Sequence, residues 1–374
     1  MRVAIITESF LPQVNGVTHS VLRVLEHLER AGHPALVLAP GEPPDLVHGA
    51  RVVPVRSVPM PGYTDFPLGV PTTRSVVREL ATFAPDVVHL ASPFTTGRPA
   101  VRAAARLGIP VVAVYQTDVA GFAGQYHLGA AAEAAWWHVR AIHDAADVTL
   151  APSQAAADDL TSHGVDRVRL WPRGVDTHRF HPRHRDEALH RRLAPGGQTL
   201  VGYVGRLAAE KQLEDLRAVH DLLGVRLVVV GDGPERERLQ RHLPAATFLG
   251  LQTGTELATT VATLDVAVQT GPHETFCQSA QEAMAAGVPV VAVAAGGVAE
   301  LVDHSRTGWT YPRGDLAALR ARVEDLAGDA GKRRAMGRAG RDAVRSRTWP
   351  VVCERLMDHY AAATAARPAT TAVR

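Results

Sequence analysis

The sequence predicts an α/β protein with two domains, each built on a parallel sheet with helices wound on both faces. Short apolar runs alternate with amphipathic stretches from the first residues onward, which is typical of repeated βα units. The alternation stops once and then begins again, and 374 residues exceed the size at which one hydrophobic core usually stops growing. We therefore expect one domain over residues 1–173, a second over 174–347, and a C-terminal segment over 348–374.

The predicted strands are short runs of Val, Ile, Leu and Ala, as expected for a sheet covered on both faces. In the first domain they are Val3–Ile6, Ala35–Ala39, Arg51–Val55, Val87–Leu90, Val111–Tyr115 and Val148–Ala151. In the second domain they are Thr199–Val204, Arg226–Val230, Thr247–Leu249, Val266–Gln269, Val288–Val293 and Trp309–Tyr311. Amphipathic segments such as Ser20–Ala31 and Ala130–Ala145 predict helices between them. The polar stretch 177–192, rich in His and Arg without a clear period, predicts a linker or a solvated loop.

The amino-acid composition limits which binding partners and which cellular compartment are expected for this protein. Lys and Arg number 40 against 38 Asp and Glu, which argues against nucleic acid or another polyanion as the main partner. Cys277 and Cys353 lack the paired spacing of a zinc site, and a reducing cytoplasm suits them. We therefore expect a cytoplasmic protein, with peripheral contact to a membrane surface left open.

Three loops that follow strands carry residues suited to a phosphorylated ligand, and such loops are where doubly wound sheets bind ligands. The first is the segment 8–17, in which Gly16 and Val17 open a helix after the first strand. The backbone N–H groups and the dipole of a helix start favour an anion. The alternative is a βα turn without a ligand, because the full dinucleotide glycine fingerprint is missing.

The second loop carries two cations directly after a buried-type strand. Arg206 and Lys211 follow the run Thr199–Val204. A guanidinium and an ammonium at a strand end are suited to a diphosphate, whereas exposed charges at a helix start are the alternative. Glu210 is expected only to pair with a neighbouring cation.

The third loop and the helix that follows it each carry a carboxylate. Glu274 is expected in the loop after Val266–Gln269, and Glu282 about two turns into the helix that follows. A carboxylate can accept hydrogen bonds from two hydroxyls of a ribose or a hexose. The N–H groups of the helix start are further donors. The alternative is a helix-end charge at Glu274 and a solvated residue at Glu282.

These residues resemble a large family of retaining glycosyltransferases, glycosyltransferase family 4, over nearly the whole chain. Its hallmark is a Glu, seven residues and a second Glu, met by Glu274 and Glu282, with an Arg and a Lys after the first strand of the second domain, met by Arg206 and Lys211. The resemblance implies the GT-B architecture. That architecture has two facing Rossmann-like domains with a cleft between them and a C-terminal helix that crosses back to the N-terminal domain.

The resemblance also implies roles for individual residues. The N-terminal domain would bind the acceptor and the C-terminal domain the nucleotide sugar. Arg206 and Lys211 would neutralise the diphosphate, Glu274 would hold the transferred sugar, and Glu282 would hold the ribose. Because these two cations and the helix N-termini supply positive potential, no divalent metal is expected to be required. The full donor-binding set implied is Gly16, Val17, Arg206, Lys211, Gly231, Gly233, Leu251, Glu274, Thr275, Phe276, Cys277, Gln278 and Glu282. In this set Gly231 and Gly233 belong to a turn on the base side of the site, and the backbone near Leu251 would contact the base.

The segment Tyr115-Gln116-Thr117-Asp118 departs from the family pattern, in which many relatives carry a His at the position of Gln116. An amide can donate and accept hydrogen bonds but cannot transfer a proton at neutral pH. We expect Gln116 and Asp118 to orient the sugar or the acceptor, with a helix cap as the alternative for Asp118.

The amino-acid sequence of the site segments is most similar to that of actinobacterial α-mannosyltransferases that use GDP-mannose on glycolipid acceptors. The resemblance therefore implies transfer of mannose, with retained anomeric configuration, to a hydroxyl of a glycolipid or another glycoside. A UDP-hexose is the rival donor, and a sugar-nucleotide epimerase or an inactive nucleotide-sugar binder of the same fold are the rival classes. The apolar segment 58–67 is expected to be a loop that either docks on a membrane or folds in as an Ω-loop.

Overall fold

The computed structural model describes residues 1–60, 63–116 and 129–366. The chain folds as two compact units. Unit 1 comprises Met1–Arg173 with Pro350–Arg374, and unit 2 comprises Gly174–Trp349. The predicted residue Asp118 lies outside the described residues.

Unit 1 contains an eight-stranded sheet that is parallel apart from one short edge strand. Its strands are β1 (Val3–Thr7), β2 (Ala35–Pro40), β3 (Leu46–Val47), β4 (Ala50–Val55), β7 (Val87–Ala91), β8 (Val111–Val114), β9 (Val148–Ala151) and β10 (Val168–Leu170), and a separate antiparallel hairpin is formed by β5 (Ser57–Met60) and β6 (Tyr63–Gly69). The strand order is β10-β9-β8-β7-β1-β2-β4-β3. All six strands predicted for this domain are present. The direction of winding changes between β7 and β1, so the loops after these two strands flank the ligand-binding crevice expected in such sheets.

The helices of unit 1 pack on this sheet through their apolar faces. They are α1 (Gly16–Arg30), α2 (Thr73–Phe83), α3 (Gly97–Leu107), α4 (Gly129–His143), α5 (Gln154–Ser162) and the C-terminal α13 (Trp349–Ala366). Residues from both helices and strands, such as Ile6, Leu36, Leu80, Leu90 and Ile142, form one buried cluster. Burial of these side chains is the main source of the unit's stability.

The last helix returns to unit 1, as the fold class predicts. Trp171 Nε1 donates a hydrogen bond to the carbonyl oxygen of Val352 at 2.9 Å. The hydroxyl of Tyr360 lies 2.5 Å from Nδ1 of His89, a buried residue of β7. These contacts bind α13 to residues of the first sheet.

Unit 2 is an α/β unit with a six-stranded, fully parallel sheet. Its strands are β11 (Thr199–Val204), β12 (Val225–Val230), β13 (Thr247–Gly250), β14 (Val266–Gln269), β15 (Val290–Val293) and β16 (Gly308–Tyr311), and its helices are α6 (Glu187–Leu193), α7 (Arg236–His242), α8 (Gly254–Thr263), α9 (Gln278–Ala285), α10 (Gly296–Leu301), α11 (Leu316–Gly328) and α12 (Ala330–Val344). The strand order is β13-β12-β11-β14-β15-β16, so the winding changes between β11 and β14. The loops after these two strands therefore flank a crevice.

Two predictions of local structure are wrong. The stretch 177–192 contains a short 3-10 helix, Pro182–His184, and most of α6, whose first N–H groups are capped by the Asp186 side chain. The segment 58–67 is mostly β5 and β6, because the two strands pair antiparallel with each other. The prediction that this segment docks on a membrane stays a prediction.

Within residues 1–60, 63–116 and 129–366, no helix is long and apolar enough to cross a bilayer. Within the same residues, no group of three or more His, Cys, Asp or Glu side chains is arranged to hold a metal ion.

Candidate functional site

The centre of the candidate site in unit 2 is an ion pair between the two loops that flank its crevice. Lys211 lies in the loop after β11 and Glu274 in the loop after β14, and Lys211 Nζ is 2.7 Å from Glu274 Oε1. Their side chains are only 21% and 18% exposed. Because parallel strands end at the same edge of the sheet, residues 63 positions apart in sequence meet here.

Opposing effects act on the ammonium of Lys211. Burial alone lowers the pKa of Lys211, but the charge and the hydrogen bond of the Glu274 carboxylate outweigh burial, and the pKa is raised above its ordinary value. Lys211 therefore remains a cation at neutral pH and cannot act as a base. A half-buried fixed cation is a suitable partner for a phosphate oxygen.

Arg206 is the second cation of this loop, and its guanidinium is more accessible. Arg206 Nη2 donates to Glu210 Oε1 at 2.5 Å, and the side chains are 53% and 7% exposed. The predicted supporting role of Glu210 is thus a pair with Arg206. The buried carboxylate of Glu210 fixes the guanidinium on one side, while the Arg206 side chain as a whole is half exposed.

The turn Gly231-Asp232-Gly233 supports the loop that carries Arg206. A Cβ atom on Gly231 would lie 1.9 Å from the carbonyl oxygen of Gly205, and one on Gly233 would lie 2.3 Å from that of Leu207. Leu207 N donates to the carbonyl oxygen of Asp232 at 2.9 Å. Close backbone contact therefore requires glycine at both positions. Their position beside the base stays a prediction.

A second pair of glycines, which the sequence analysis missed, supports the loop of Glu274. Gly297 N donates to the carbonyl oxygen of Glu274 at 2.6 Å. A Cβ atom on Gly296 would lie 2.7 Å from the carbonyl oxygen of Pro272, and Gly296 has a φ of 61°. The start of α10 thus holds the loop of Glu274 by direct backbone contact. The adjacent glycines after β15 were the sequence feature that could have indicated this close backbone contact.

The loop of Glu274 enters α9 through a residue in an unusual conformation. Cys277 has a φ of 73°, a left-handed conformation that is uncommon outside glycine and asparagine. Its side chain is buried, and burial raises the pKa of the thiol to about 12. Cys277 is therefore a neutral thiol and not a nucleophile. The predicted donor roles of the N–H groups of Thr275, Phe276, Cys277 and Gln278 stay predictions.

Glu282 lies in α9, as predicted, but one turn from its start at Gln278 and not two, and it is 7% exposed. Gln278 Nε2 donates to Glu282 Oε1 at 3.3 Å and to the carbonyl oxygen of Gly174 at 3.0 Å. The carboxylate is therefore held in place by its neighbour one turn earlier. Leu251, predicted near the base, follows β13 directly and is 73% exposed.

In unit 1 the loop between β1 and α1 ends in a well-formed helix cap. Asn15 Oδ1 accepts hydrogen bonds from the N–H groups of Val17 and Thr18, both at 3.0 Å. Asn15 Nδ2 donates to Ser9 Oγ at 2.7 Å. Because the N–H of Val17 already donates a hydrogen bond to Asn15 Oδ1, the predicted contact between this turn and a phosphate depends on the N–H of Gly16.

Gln116 and Gly16 are joined by a residue that the sequence analysis did not select. Arg173, which is 5% exposed, donates Nη1 to the carbonyl oxygen of Gly16 at 2.5 Å and Nη2 to Gln116 Oε1 at 2.8 Å. Gln116, directly after β8, is 7% exposed. The structure thus brings together two of the predicted residues of unit 1.

The loops after β1 and β7 are connected by Glu8. Its carboxylate accepts hydrogen bonds from Phe94 N at 2.6 Å, Thr96 N at 2.7 Å and Thr95 Oγ1 at 2.8 Å. Burial raises the pKa of Glu8, while these hydrogen bonds oppose the increase. Glu8 therefore binds the start of α3 to the loop that leads into α1, which is a positioning role.

Comparison with known proteins gives the family. Residues 14–179 match the model described as Glycosyltransferase Family 4, and residues 185–343 match Glycosyl transferases group 1. A "GDP-mannose-dependent alpha-mannosyltransferase" of Mycobacterium tuberculosis is 50% identical over 369 residues, which cover 97% of this chain and 97% of the relative. The chain belongs to glycosyltransferase family 4. It is therefore a hexosyltransferase, as predicted.

Further comparisons agree with this family. A protein of the same name from Corynebacterium glutamicum is 45% identical over 96% of this chain and 89% of the relative. The structure of a sucrose-phosphate synthase from Thermosynechococcus elongatus has a TM-score of 0.80 at 21% identity, covering 98% of this chain and 100% of that one. The predicted GT-B architecture of this family 4 enzyme is confirmed.

Proposed function

We propose that this family 4 enzyme transfers mannose from GDP-mannose to a hydroxyl of a glycolipid or another glycoside, with retention of the anomeric configuration. The observation that carries the proposal is the Lys211–Glu274 pair, held at 2.7 Å where β11 and β14 end. The pair offers a cation to a phosphate and a carboxylate to the hydroxyls of a hexose. The mannose and the guanine are supported by two relatives, 45% and 50% identical, that are named GDP-mannose-dependent alpha-mannosyltransferases.

In this proposal the diphosphate is bound by Arg206 and Lys211, with further N–H groups from the start of α9 and from Gly16. The Arg206 side chain is 53% exposed, and a guanidinium is suited to charge-assisted hydrogen bonds with phosphate oxygens. Glu274 accepts hydroxyls of the mannose. Glu282, fixed by Gln278, accepts hydroxyls of the ribose.

We further propose that no divalent metal takes part. Two cations and a helix N-terminus provide positive potential where the leaving diphosphate develops charge. Transfer measured with excess EDTA should equal transfer measured with added Mg²⁺ or Mn²⁺. A loss of transfer in EDTA that Mg²⁺ restores would contradict this part of the proposal.

The reaction is proposed to proceed on one face of the sugar. The bond between the anomeric carbon and the phosphate oxygen breaks, the acceptor oxygen bonds to the same face, and the acceptor proton passes to the departing phosphate. Gln116 cannot accept this proton, and the raised pKa of Lys211 excludes it as a base. Gln116 and Asp118 are proposed to orient the sugar or the acceptor, and isolation of a glycosyl–enzyme adduct would refute this course.

The test of the function is a product analysis with two donors. Purified protein is incubated with GDP-mannose or UDP-glucose and an actinobacterial lipid extract, and the products are identified by mass spectrometry. We expect GDP together with a lipid that has gained one hexose. Release of UDP together with a lipid that has gained one hexose would show that the donor is UDP-glucose and not GDP-mannose. An altered sugar nucleotide would indicate an epimerase, and an unchanged donor would indicate a protein that only binds it.

The chain provides a matched control for this test, because Lys211 and Lys332 are its two lysines. Lys332 also pairs with a carboxylate, that of Asp325 in α11, but lies in the first turn of α12. We expect Lys211→Met to abolish transfer and Lys332→Met to retain it. Equal activity of the two variants would contradict the proposed role of Lys211.

A further inference from the structure

A buried hydroxyl connects the two loops that flank the crevice of unit 2. Thr270, the first residue after β14, is fully buried, and its Oγ1 donates a hydrogen bond to the carbonyl oxygen of Lys211 at 2.7 Å. The two residues lie 59 positions apart in sequence. This contact is distinct from the ion pair between Lys211 and Glu274, because it holds the backbone of Lys211 and not its ammonium.

The peptide that Thr270 holds leads into a backbone conformation that few residues adopt. Gln212, which follows Lys211, has a φ of 47° and a ψ of 44°, in the left-handed region. A residue other than glycine keeps such a conformation only where its surroundings impose it. The N–H of Gln212 donates to the carbonyl oxygen of Ala209 at 3.0 Å, and the carbonyl of the same peptide accepts from Thr270. Both polar groups of the Lys211–Gln212 peptide are therefore fixed.

The residue after Thr270 also lies close to Lys211. A Cβ atom on Gly271 would lie 3.4 Å from Lys211 Cα, 3.5 Å from Lys211 Cδ and 3.6 Å from Glu274 Oε1. The segment Thr270-Gly271 therefore passes beside the stem of the Lys211 side chain. Because a lysine side chain is a flexible chain of four carbons, the place of its ammonium depends on how firmly the backbone holds its base.

The other cation of this loop is held in the same way. Tyr203, in β11, is buried, and its hydroxyl donates to the carbonyl oxygen of Arg206 at 3.1 Å. Burial raises the pKa of Tyr203 well above its ordinary value, so the hydroxyl keeps its proton and remains a donor. Two buried hydroxyls thus hold the backbone carbonyls of the two residues predicted to bind the diphosphate.

We propose that Thr270 is a positioning residue of the donor site, which fixes the Lys211–Gln212 peptide so that the Lys211 ammonium reaches the diphosphate of the nucleotide sugar. Thr270 acts through Lys211 and does not itself touch the ligand. An ammonium has three donors, and one of them is directed at Glu274. With its backbone fixed, Lys211 can keep this pair and contact a phosphate oxygen at the same time. The inference rests on the proposed function for the diphosphate ligand.

The decisive variant is Thr270→Val, which removes the hydroxyl and nearly keeps the shape of the side chain. Its binding of GDP and of guanosine is compared with that of the wild type by calorimetric titration. We expect GDP to bind about tenfold more weakly and guanosine to bind as it does to the wild type, because the nucleoside lacks phosphates. A purely structural contact predicts that both affinities fall together or that neither falls, and either result would overturn the proposal.

A second threonine provides the matched control. Thr199 begins β11, at the end of the strand opposite to the loop of Lys211, and its Oγ1 also donates to a distant carbonyl, that of Ala327, at 3.3 Å. We expect Thr199→Val to bind GDP within about twofold of the wild type. Equal weakening of GDP binding in Thr199→Val and Thr270→Val would show a general effect of losing a buried hydroxyl and would overturn the proposal.

Two smaller side chains at position 270 decide the matter if Thr270→Val does not fold. Thr270→Ser keeps the hydroxyl and Thr270→Ala lacks it, and both have lost the methyl group. We expect Thr270→Ser to bind GDP within about twofold of the wild type and Thr270→Ala to bind it about tenfold more weakly. Equal GDP affinity of these two variants would overturn the proposal.

A double variant tests whether Thr270 acts through Lys211. Lys211→Met is compared with the combination of Lys211→Met and Thr270→Val for GDP affinity. If the hydroxyl acts only by placing the ammonium, its removal adds no more than about a twofold loss once the ammonium is gone. Losses that multiply would show that the two residues act independently and would overturn the proposal.

Titration of the wild type separates this inference from the proposed function. The wild type is titrated first with GDP and with UDP. If it binds UDP and not GDP, the proposed donor is overturned, and the variants are compared with UDP and uridine. If it binds GDP and a folded Thr270→Val variant binds GDP equally well, only the inference about Thr270 is overturned. A wild type that binds neither nucleotide overturns both.

Discussion

Acidification should weaken unit 1 through two buried histidines. His89 lies in β7 and His143 ends α4, and both are 1% exposed. Burial lowers the pKa of His89 to about 3 and that of His143 to about 4. In the unfolded chain a histidine titrates near pH 6.5, so both rings remain neutral in the folded protein at pH values where the unfolded chain binds protons.

The sign and size of the effect follow from linkage. A lowered folded pKa contributes stability that is complete above pH 6.5 and is lost as the pH falls towards about 3 for His89 and about 4 for His143. Between pH 7.5 and pH 5 each ring costs about 2 kcal/mol of unfolding free energy, and the two together about 4 kcal/mol. Unit 1 should therefore be the unit that unfolds first in mild acid.

The assay is urea unfolding at pH 7.5 and pH 5, followed by near-ultraviolet circular dichroism. The variant His89→Gln removes one titrating ring, so its loss of stability between the two pH values should be about 2 kcal/mol smaller than that of the wild type. His304→Gln, at an exposed position, is the control. If the unfolding free energy of the His89→Gln variant falls between pH 7.5 and pH 5 by as much as that of the wild type, the reasoning is refuted.

Three further predictions concern the loops and caps of the site. Gly231→Ala should destabilise unit 2 by at least about 2 kcal/mol in urea unfolding, because the new Cβ would lie 1.9 Å from the Gly205 carbonyl oxygen. Gly328→Ala, with open space around the new Cβ, should be neutral, and equal losses would contradict the backbone argument. Asn15→Ala should cost about 1 kcal/mol through loss of the cap of α1, and unchanged stability would show that the cap contributes nothing. Glu282→Gln should weaken GDP binding in calorimetry while leaving the fold intact, since its amide can still pair with Gln278, and unchanged affinity would exclude a ribose contact.

The sequence predicted the sheets well because their strands are buried on both faces. Runs such as Val87–Leu90 and Val266–Gln269 are mostly apolar and buried along their whole length, and such runs are recognisable without tertiary information. The β5–β6 hairpin was missed because its strands contain Pro59 and Pro67, which reads as a loop. Helix α6 was missed because its seven residues give too short a pattern for a helical period.

The site was predicted where local sequence fixes the geometry. Glu274 and Glu282 are placed by one loop and one helix, so their spacing along the chain is informative. Arg173 was missed because its partner Gly16 lies 157 positions earlier and its partner Gln116 lies 57 positions earlier. Such contacts follow from the order of the strands, which the sequence pattern alone does not determine.

The most direct test of the account is calorimetric titration of GDP into the wild type and the two lysine variants. Lys211 Nζ lies 2.7 Å from Glu274 Oε1 in the loops that flank the crevice of unit 2, whereas Lys332 lies in the first turn of α12 and pairs with Asp325. The account predicts that Lys211→Met weakens GDP binding at least about tenfold, through loss of a charge-assisted contact to phosphate, and that Lys332→Met binds GDP as the wild type does. Unchanged affinity in a folded Lys211→Met variant would contradict the account.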